Sequence, residues 1–170
     1  MFLFGKKKSV SVDPIPAEIE PSTKPVVYDF IAKSEDEKTD KALVNYQKFW
    51  TDPDGKYEGM KMSDFKRDGD PGDKVYQYPP LDVDVKLEAF IGDDASIEIR
   101  VFVLDGDKEI FVGKAAKTKA KKILRTLQEY NPKITGELYG GKYWKMEESG
   151  YVNNDWAEDL TVRVYLTYQE

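Results

Sequence analysis

The chain has neither cysteine nor histidine among its 170 residues. Without cysteine there is no disulfide framework, no thiolate metal site and no cysteine nucleophile. Without histidine the commonest general base near neutral pH is missing, as is the commonest transition-metal ligand. Ser-His-Asp chemistry, the usual zinc hydrolases and histidine phosphoryl transfer are therefore excluded. Carboxylate-and-magnesium chemistry is what remains. No apolar run reaches the ~18–20 residues that span a bilayer, so no stable membrane insertion is expected. The start, Met1-Phe2-Leu3-Phe4 before Lys6-Lys7-Lys8, reverses the order of a signal peptide. These absences predict a cytoplasmic, bacterial-type protein that is not an enzyme and holds no metal or cofactor.

Charged residues make up 34% of the chain and the net charge is −6. An excess of this kind favours solubility. Residues 5–25 carry Pro14, Pro16, Pro21 and Pro25, a density that prevents a regular helix or central strand. The expected organisation is a mobile leader over 1–25 and a single domain over 26–170.

Val26-Val27-Tyr28-Asp29-Phe30-Ile31 has the β-branched and aromatic content of a strand. Ser34-Glu35-Asp36-Glu37 has the form of a capping box, and Leu43, Tyr46, Gln47 and Trp50 follow at helical spacing. A helix is predicted over 37–50. Residues 52–80 are dense in turn chemistry, and their aspartates lack the spacing of an EF-hand. Leu81, Val83, Val85, Leu87 and Ala89 then alternate with polar residues. Ile97, Ile99, Val101 and Val103 repeat the period of two, and Asp105-Gly106-Asp107 turns the chain back. Ala116, Ala120, Ile123, Leu124 and Leu127 form one helical stripe, so the main helix is predicted over 115–130, closed by Asn131-Pro132. Strands at 133–139 and 143–147, separated by a Gly140-Gly141 turn, and at 160–168 complete the pattern. The fold class expected is α+β, a small and mostly antiparallel barrel or curled sheet with OB-like layout.

Lys114, Lys117, Lys119, Lys121, Lys122 and Arg125 crowd the main helix and its approach, with no acid among them. Because the whole chain is −6, the residues outside this group sum to −12. Such a cluster can contact phosphates and release counterions. A solvated helix beside acidic strands would use the same residues, since lysine is a good helix former. Aromatics are frequent in the C-terminal half, and Tyr143, Trp144 and Tyr165 are the candidates for stacking on bases. Burial is the competing use of such rings. Asp82-x-Asp84-x-Lys86 loosely matches a magnesium nuclease site, but plain strand alternation predicts the same residues.

The order of elements, the Val112-Gly113 entry to the helix and the segment Tyr139-Gly140-Gly141-Lys142-Tyr143 together resemble the HIRAN family over residues 80–168. The resemblance implies a small OB-like barrel that binds ends of single-stranded DNA. Two positions depart from it. Gly92-Asp93-Asp94-Ala95-Ser96 lacks the asparagine of the family's Asp-x-Asn-Ala motif, and Lys114 stands where an aromatic is frequent. The expectation is a non-catalytic module for single-stranded DNA. The alternative is an interaction or assembly protein of a phage or mobile element, engaging a protein partner or forming homo-oligomers through strand edges.

Overall fold

The structure, a computed structural model, describes residues 24–169. The leader expected over 1–25 lies outside them except for its last two positions. Alternation of Phe30 and Ala32 (buried) with Asp29, Ile31 and Lys33 (exposed) makes Val26–Lys33 a strand, β1. Helix α1 spans Glu37–Trp50. Its cap is Asp36 rather than Ser34: the Asp36 carboxylate accepts from the Thr39 backbone N–H at 2.7 Å. That bond holds the Asp36 carboxyl below its ordinary pKa. Glu37 and Asp40 in the first turn add a favourable charge at the helix N-terminus.

Residues 52–80 hold more structure than their turn-rich composition predicts. A 3-10 segment at Pro53–Gly59, a short helix α2 at Met62–Asp68 and a strand β2 at Lys74–Tyr76 lie within them. There follow β3 (Leu81–Val83), β4 (Val85–Ile91), β5 (Ile97–Asp105), β6 (Lys108–Lys114), α3 (Lys117–Tyr130), β7 (Lys133–Met146) and β8 (Val152–Tyr168).

All pairings are antiparallel. One sheet runs β1-β8-β7, with β2 and β3 on successive stretches of the far edge of β7. The other runs β4-β5-β6. The alternating run from Leu81 to Ala89 is not one strand. It breaks at Asp84, where the chain passes from the first sheet to the second, and the Leu104 N–H donates to the Asp84 carbonyl at 2.9 Å. On the other side β6 crosses β1 without pairing to it. A Cβ at Gly113 would lie 2.2 Å from the Lys33 carbonyl oxygen, so only glycine permits this approach. The result is α+β with two antiparallel sheets and three helices. The closed OB-like barrel is not formed, because no ladder joins β1 to β6 among the described residues.

Phe30, Leu43, Ile99, Val101, Val103, Val112, Ile123, Leu138, Val162, Val164 and Leu166 are fully enclosed and make the main core. Helix α3 packs on β5 and α1 on β6. A second, smaller core of Phe65, Val75, Trp144, Met146 and Val152 lies at the outer end of the β7–β8 hairpin. That hairpin is longer than its sequence predicts. Gly140 and Gly141, at φ +99° and +88°, bulge β7 instead of ending it, and β8 begins at Val152 rather than 160. Among the described residues no helix is long and apolar enough to cross a membrane.

Candidate nucleic-acid interface

The helix α3 buries Ala120, Ile123 and Thr126 and partly buries Leu124 and Leu127. Its opposite face therefore presents Lys117, Lys121, Lys122 and Arg125 to solvent, and Lys119, one turn before Ile123, is exposed at the edge of the buried stripe. The start is built unlike that of α1. Ala116 provides no side-chain cap, and the first turn holds Lys117 and Lys119 with no acid. The helix macrodipole disfavours cations at this end by about 0.3–1 kcal/mol each. Helix stability alone does not account for the choice of lysine there.

The six cations divide into two groups. Lys114 bonds the Glu98 carboxylate at 2.8 Å, and Arg100 bonds the same group at 2.6 Å. The two donors, Lys114 first, hold the Glu98 carboxyl below its ordinary pKa. Arg125 pairs with Glu129 one turn on, at 2.8 Å. Lys117, Lys119, Lys121 and Lys122 have no carboxylate within 4.0 Å among the described residues.

A hollow of about 540 Å³ runs along α3, lined by Lys121, Lys122, Arg125, Tyr130 and Tyr168 among others. The Lys122 ammonium stands 4.2 Å from the centroid of the Tyr28 ring. Tyr130, 36% exposed, stacks on the mostly buried Tyr168 with centroids 4.6 Å apart. Burial, and then the charge of Asp29, raise the Tyr28 pKa, so its ring stays neutral below the alkaline range. Lys121 also borders an adjoining hollow of about 790 Å³ between the N-terminus of α3 and the Asp94–Glu98 segment. Asp94 accepts from the Ser96 N–H at 3.0 Å, and Ala95 sits at φ +60°. The departure from the Asp-x-Asn-Ala motif thus faces the start of the basic helix.

The aromatics predicted from sequence are not the ones the fold places here. Tyr143 is 4% exposed, held beside Tyr76 and Trp156 with Lys74 above its ring. Trp144 is 8% exposed, with Tyr57 stacked on it at 3.7 Å and Phe65 at 6.2 Å, inside the smaller core. Neither offers a face to a base. Tyr165 is half-buried, but it alternates with the core residues Val164 and Leu166 and so faces away from the side that Tyr28 shares with Phe30. Its hydroxyl lies 3.3 Å from Glu137, and it borders a different hollow that contains Asp82 and Asp84. The aromatics missed by sequence are Tyr130, which lines the hollow with Tyr168, and Tyr28, which lies under Lys122. Each follows an apolar stripe or its alternation, which hides it among core residues.

The Asp82-x-Asp84-x-Lys86 pattern is divided by the kink at Asp84. Lys86 is taken up by Glu88 and Glu109, each at 2.8 Å. No group of three or more carboxylates positioned to hold a metal ion occurs among the described residues. Comparison of the chain with protein-family models, with curated proteins and with solved structures finds no match.

Proposed function

We propose that this protein is a non-catalytic module that binds single-stranded nucleic acid along α3. The observation that carries the reading is four α3 lysines with no carboxylate within 4.0 Å among the described residues, of which Lys121 and Lys122 line the hollow with Tyr130 and Tyr168, Lys122 also standing over the Tyr28 ring. Cations in that state contact phosphates without first breaking an ion pair, and a partly open ring offers a base a stacking surface. The lysines at the helix start are disfavoured by the macrodipole, which supports selection for something other than stability. The resemblance to the HIRAN family at Val112-Gly113 and Tyr139–Tyr143 points to the same class of ligand. The loss of the motif asparagine and the pairing of Lys114 with Glu98 favour a contact on α3 over one at its entry.

A labelled oligothymidylate titrated at several salt concentrations tests this. Four phosphate contacts predict that log K falls with log salt at a slope of about −3. Absence of salt-sensitive binding at micromolar protein would remove the proposal.

A second reading has its own observation. Among the described residues strand β1 pairs only with β8, and one face exposes Val27 (58%) and Ile31 (40%) alternating with Asp29 and Lys33. An unpaired edge of this kind suits strand addition by a protein partner or a second copy. Light scattering on the purified chain that finds a stable oligomer, together with no affinity for oligonucleotide, favours assembly over nucleic-acid binding.

A further inference from the structure

Away from α3, the three buried side-chain polar atoms without a hydrogen-bond partner among the described residues lie at the end of α1: Gln47 Nε2 and Oε1, and Oγ1 of Thr51, its C-cap. Gln47 is 0% exposed and shares the buried stripe of Thr39, Leu43 and Tyr46, a place that packing alone would fill with an apolar residue. A glutamine amide carries two donor hydrogens and an acceptor oxygen, and burying them unpaired opposes folding. Gln47 is among the residues that line a cavity of about 290 Å³.

The cavity is built by elements that fix its shape. Gly141 also lines it, at φ +88°, and a Cβ there would stand 3.9 Å from Gln47 Oε1. Tyr78, buried, and Gln77, half-buried, form a wall. The Gln77 backbone is anchored on both sides, its N–H donating to the Lys142 carbonyl at 2.8 Å and its carbonyl accepting from Tyr57 at 3.1 Å. Lys48 and Lys142 stand exposed at the mouth, with no carboxylate within 4.0 Å among the described residues. A polar floor under a cationic rim selects for both ends of a ligand.

We infer that this cavity is a binding site for a small anion whose buried end sets a hydrogen-bond donor beside an acceptor, as a carboxamide or the lactam edge of a nucleobase does. The ligand edge pairs with both atoms of the Gln47 amide, and its acidic group sits between Lys48 and Lys142. The volume admits one such group and little more. The site shares no residue with the α3 groove, so its presence does not depend on nucleic-acid binding.

The test follows the Gln47 side-chain NH₂ signals of the full chain by NMR during titration with three probes. These are succinamate (carboxamide plus carboxylate), uridine 5′-monophosphate (lactam plus phosphate) and succinate (no amide). A saturable shift of the Gln47 pair by either amide-bearing probe is expected, with succinate weaker by at least about tenfold. A response to succinamate alone assigns an open carboxamide ligand; a response to the nucleotide alone assigns a ring lactam. Gln47→Leu is expected to abolish the shifts elsewhere in the cavity while raising the thermal midpoint, and Lys142→Ala to weaken the anionic probes without altering the fold. Equal shifts by succinate and succinamate would reduce the site to two surface lysines and overturn the inference. No saturable shift by any probe at millimolar concentration, with the Gln47 protons in contact with water only, would overturn it as well.

Discussion

Lys122 of α3 is held over the ring of Tyr28 of β1, 4.2 Å from its centroid, and this contact ties the basic helix to the edge of the sheet. A cation placed over a ring is worth about 0.5–1 kcal/mol at an exposed site. The ring positions the ammonium group but, unlike a carboxylate, does not cancel its charge. Lys114 and Arg125 show the contrasting arrangement, each spent on a glutamate. The difference separates lysines left open to solvent from cations that serve the fold.

Tyr130 is the open ring of the groove. One face lies on Tyr168, and the remainder borders the hollow that Lys121, Lys122 and Arg125 line. Tyr130→Ala is expected to weaken oligonucleotide binding by about 1–3 kcal/mol, as loss of one stacking platform does. Anisotropy titrations of the two proteins measure it. Trp144→Ala, by contrast, empties the centre of the smaller core and is expected to lower stability by about 3 kcal/mol or more.

Glu158 of β8 accepts from Lys74 and, at 2.6 Å, from the Tyr76 hydroxyl, both on β2. These donors, Lys74 first, hold its pKa below the ordinary 4.5, and burial together with Glu158 pushes the Tyr76 pKa up. A carboxyl lowered in the folded state contributes stability that is present above its unfolded pKa and lost as pH falls through the folded value. Glu158→Gln should therefore be less stable than the parent at neutral pH, with the gap closing below about pH 4.5. The carboxylate is 37% exposed, so solvent screening keeps the difference small. Urea unfolding from neutral pH to about pH 3 checks it, and a gap constant with pH would contradict the assignment.

Gly113 is where the second sheet passes over the first. A methyl group there would stand 2.2 Å from the Lys33 carbonyl oxygen, a backbone atom that cannot turn aside. Gly113→Ala is expected to lower stability by about 3 kcal/mol. A urea midpoint within experimental error of the parent would show that β1 and β6 do not approach in this way.

Helix α1 and the alternation of β5 were legible because each buries one face, and a half-buried element writes its period into the chain. The β7–β8 hairpin was legible only in part. Gly140-Gly141 has the composition of a turn, yet here it accommodates a bulge, and a Cβ at Gly140 would meet the Asp159 carbonyl at 2.4 Å. The outer strand from Asn153 to Asp159 is largely exposed and so carries the polar composition of a loop. Tyr143 and Trp144 are adjacent yet both buried, which a period of two forbids. A register shift between Tyr143 and Lys145 permits it, with Trp144 in the smaller core and Tyr143 packed beside Tyr76 and Trp156. The cationic face of α3 was readable because helical periodicity places it. Its aromatic companions were not, since Tyr28 and Lys122 meet only through the tertiary fold.

Charge reversal on α3 tests the central claim most directly. Lys117→Glu, Lys121→Glu and Lys122→Glu together leave the buried stripe intact, and a glutamate at 117 suits the helix N-terminus better than lysine does. The measurement is oligothymidylate affinity of the triple variant and the parent at the same low salt, alongside circular dichroism. Loss of detectable binding with an unchanged spectrum is the predicted result. Equal affinity in the two folded proteins would contradict a nucleic-acid interface on this helix.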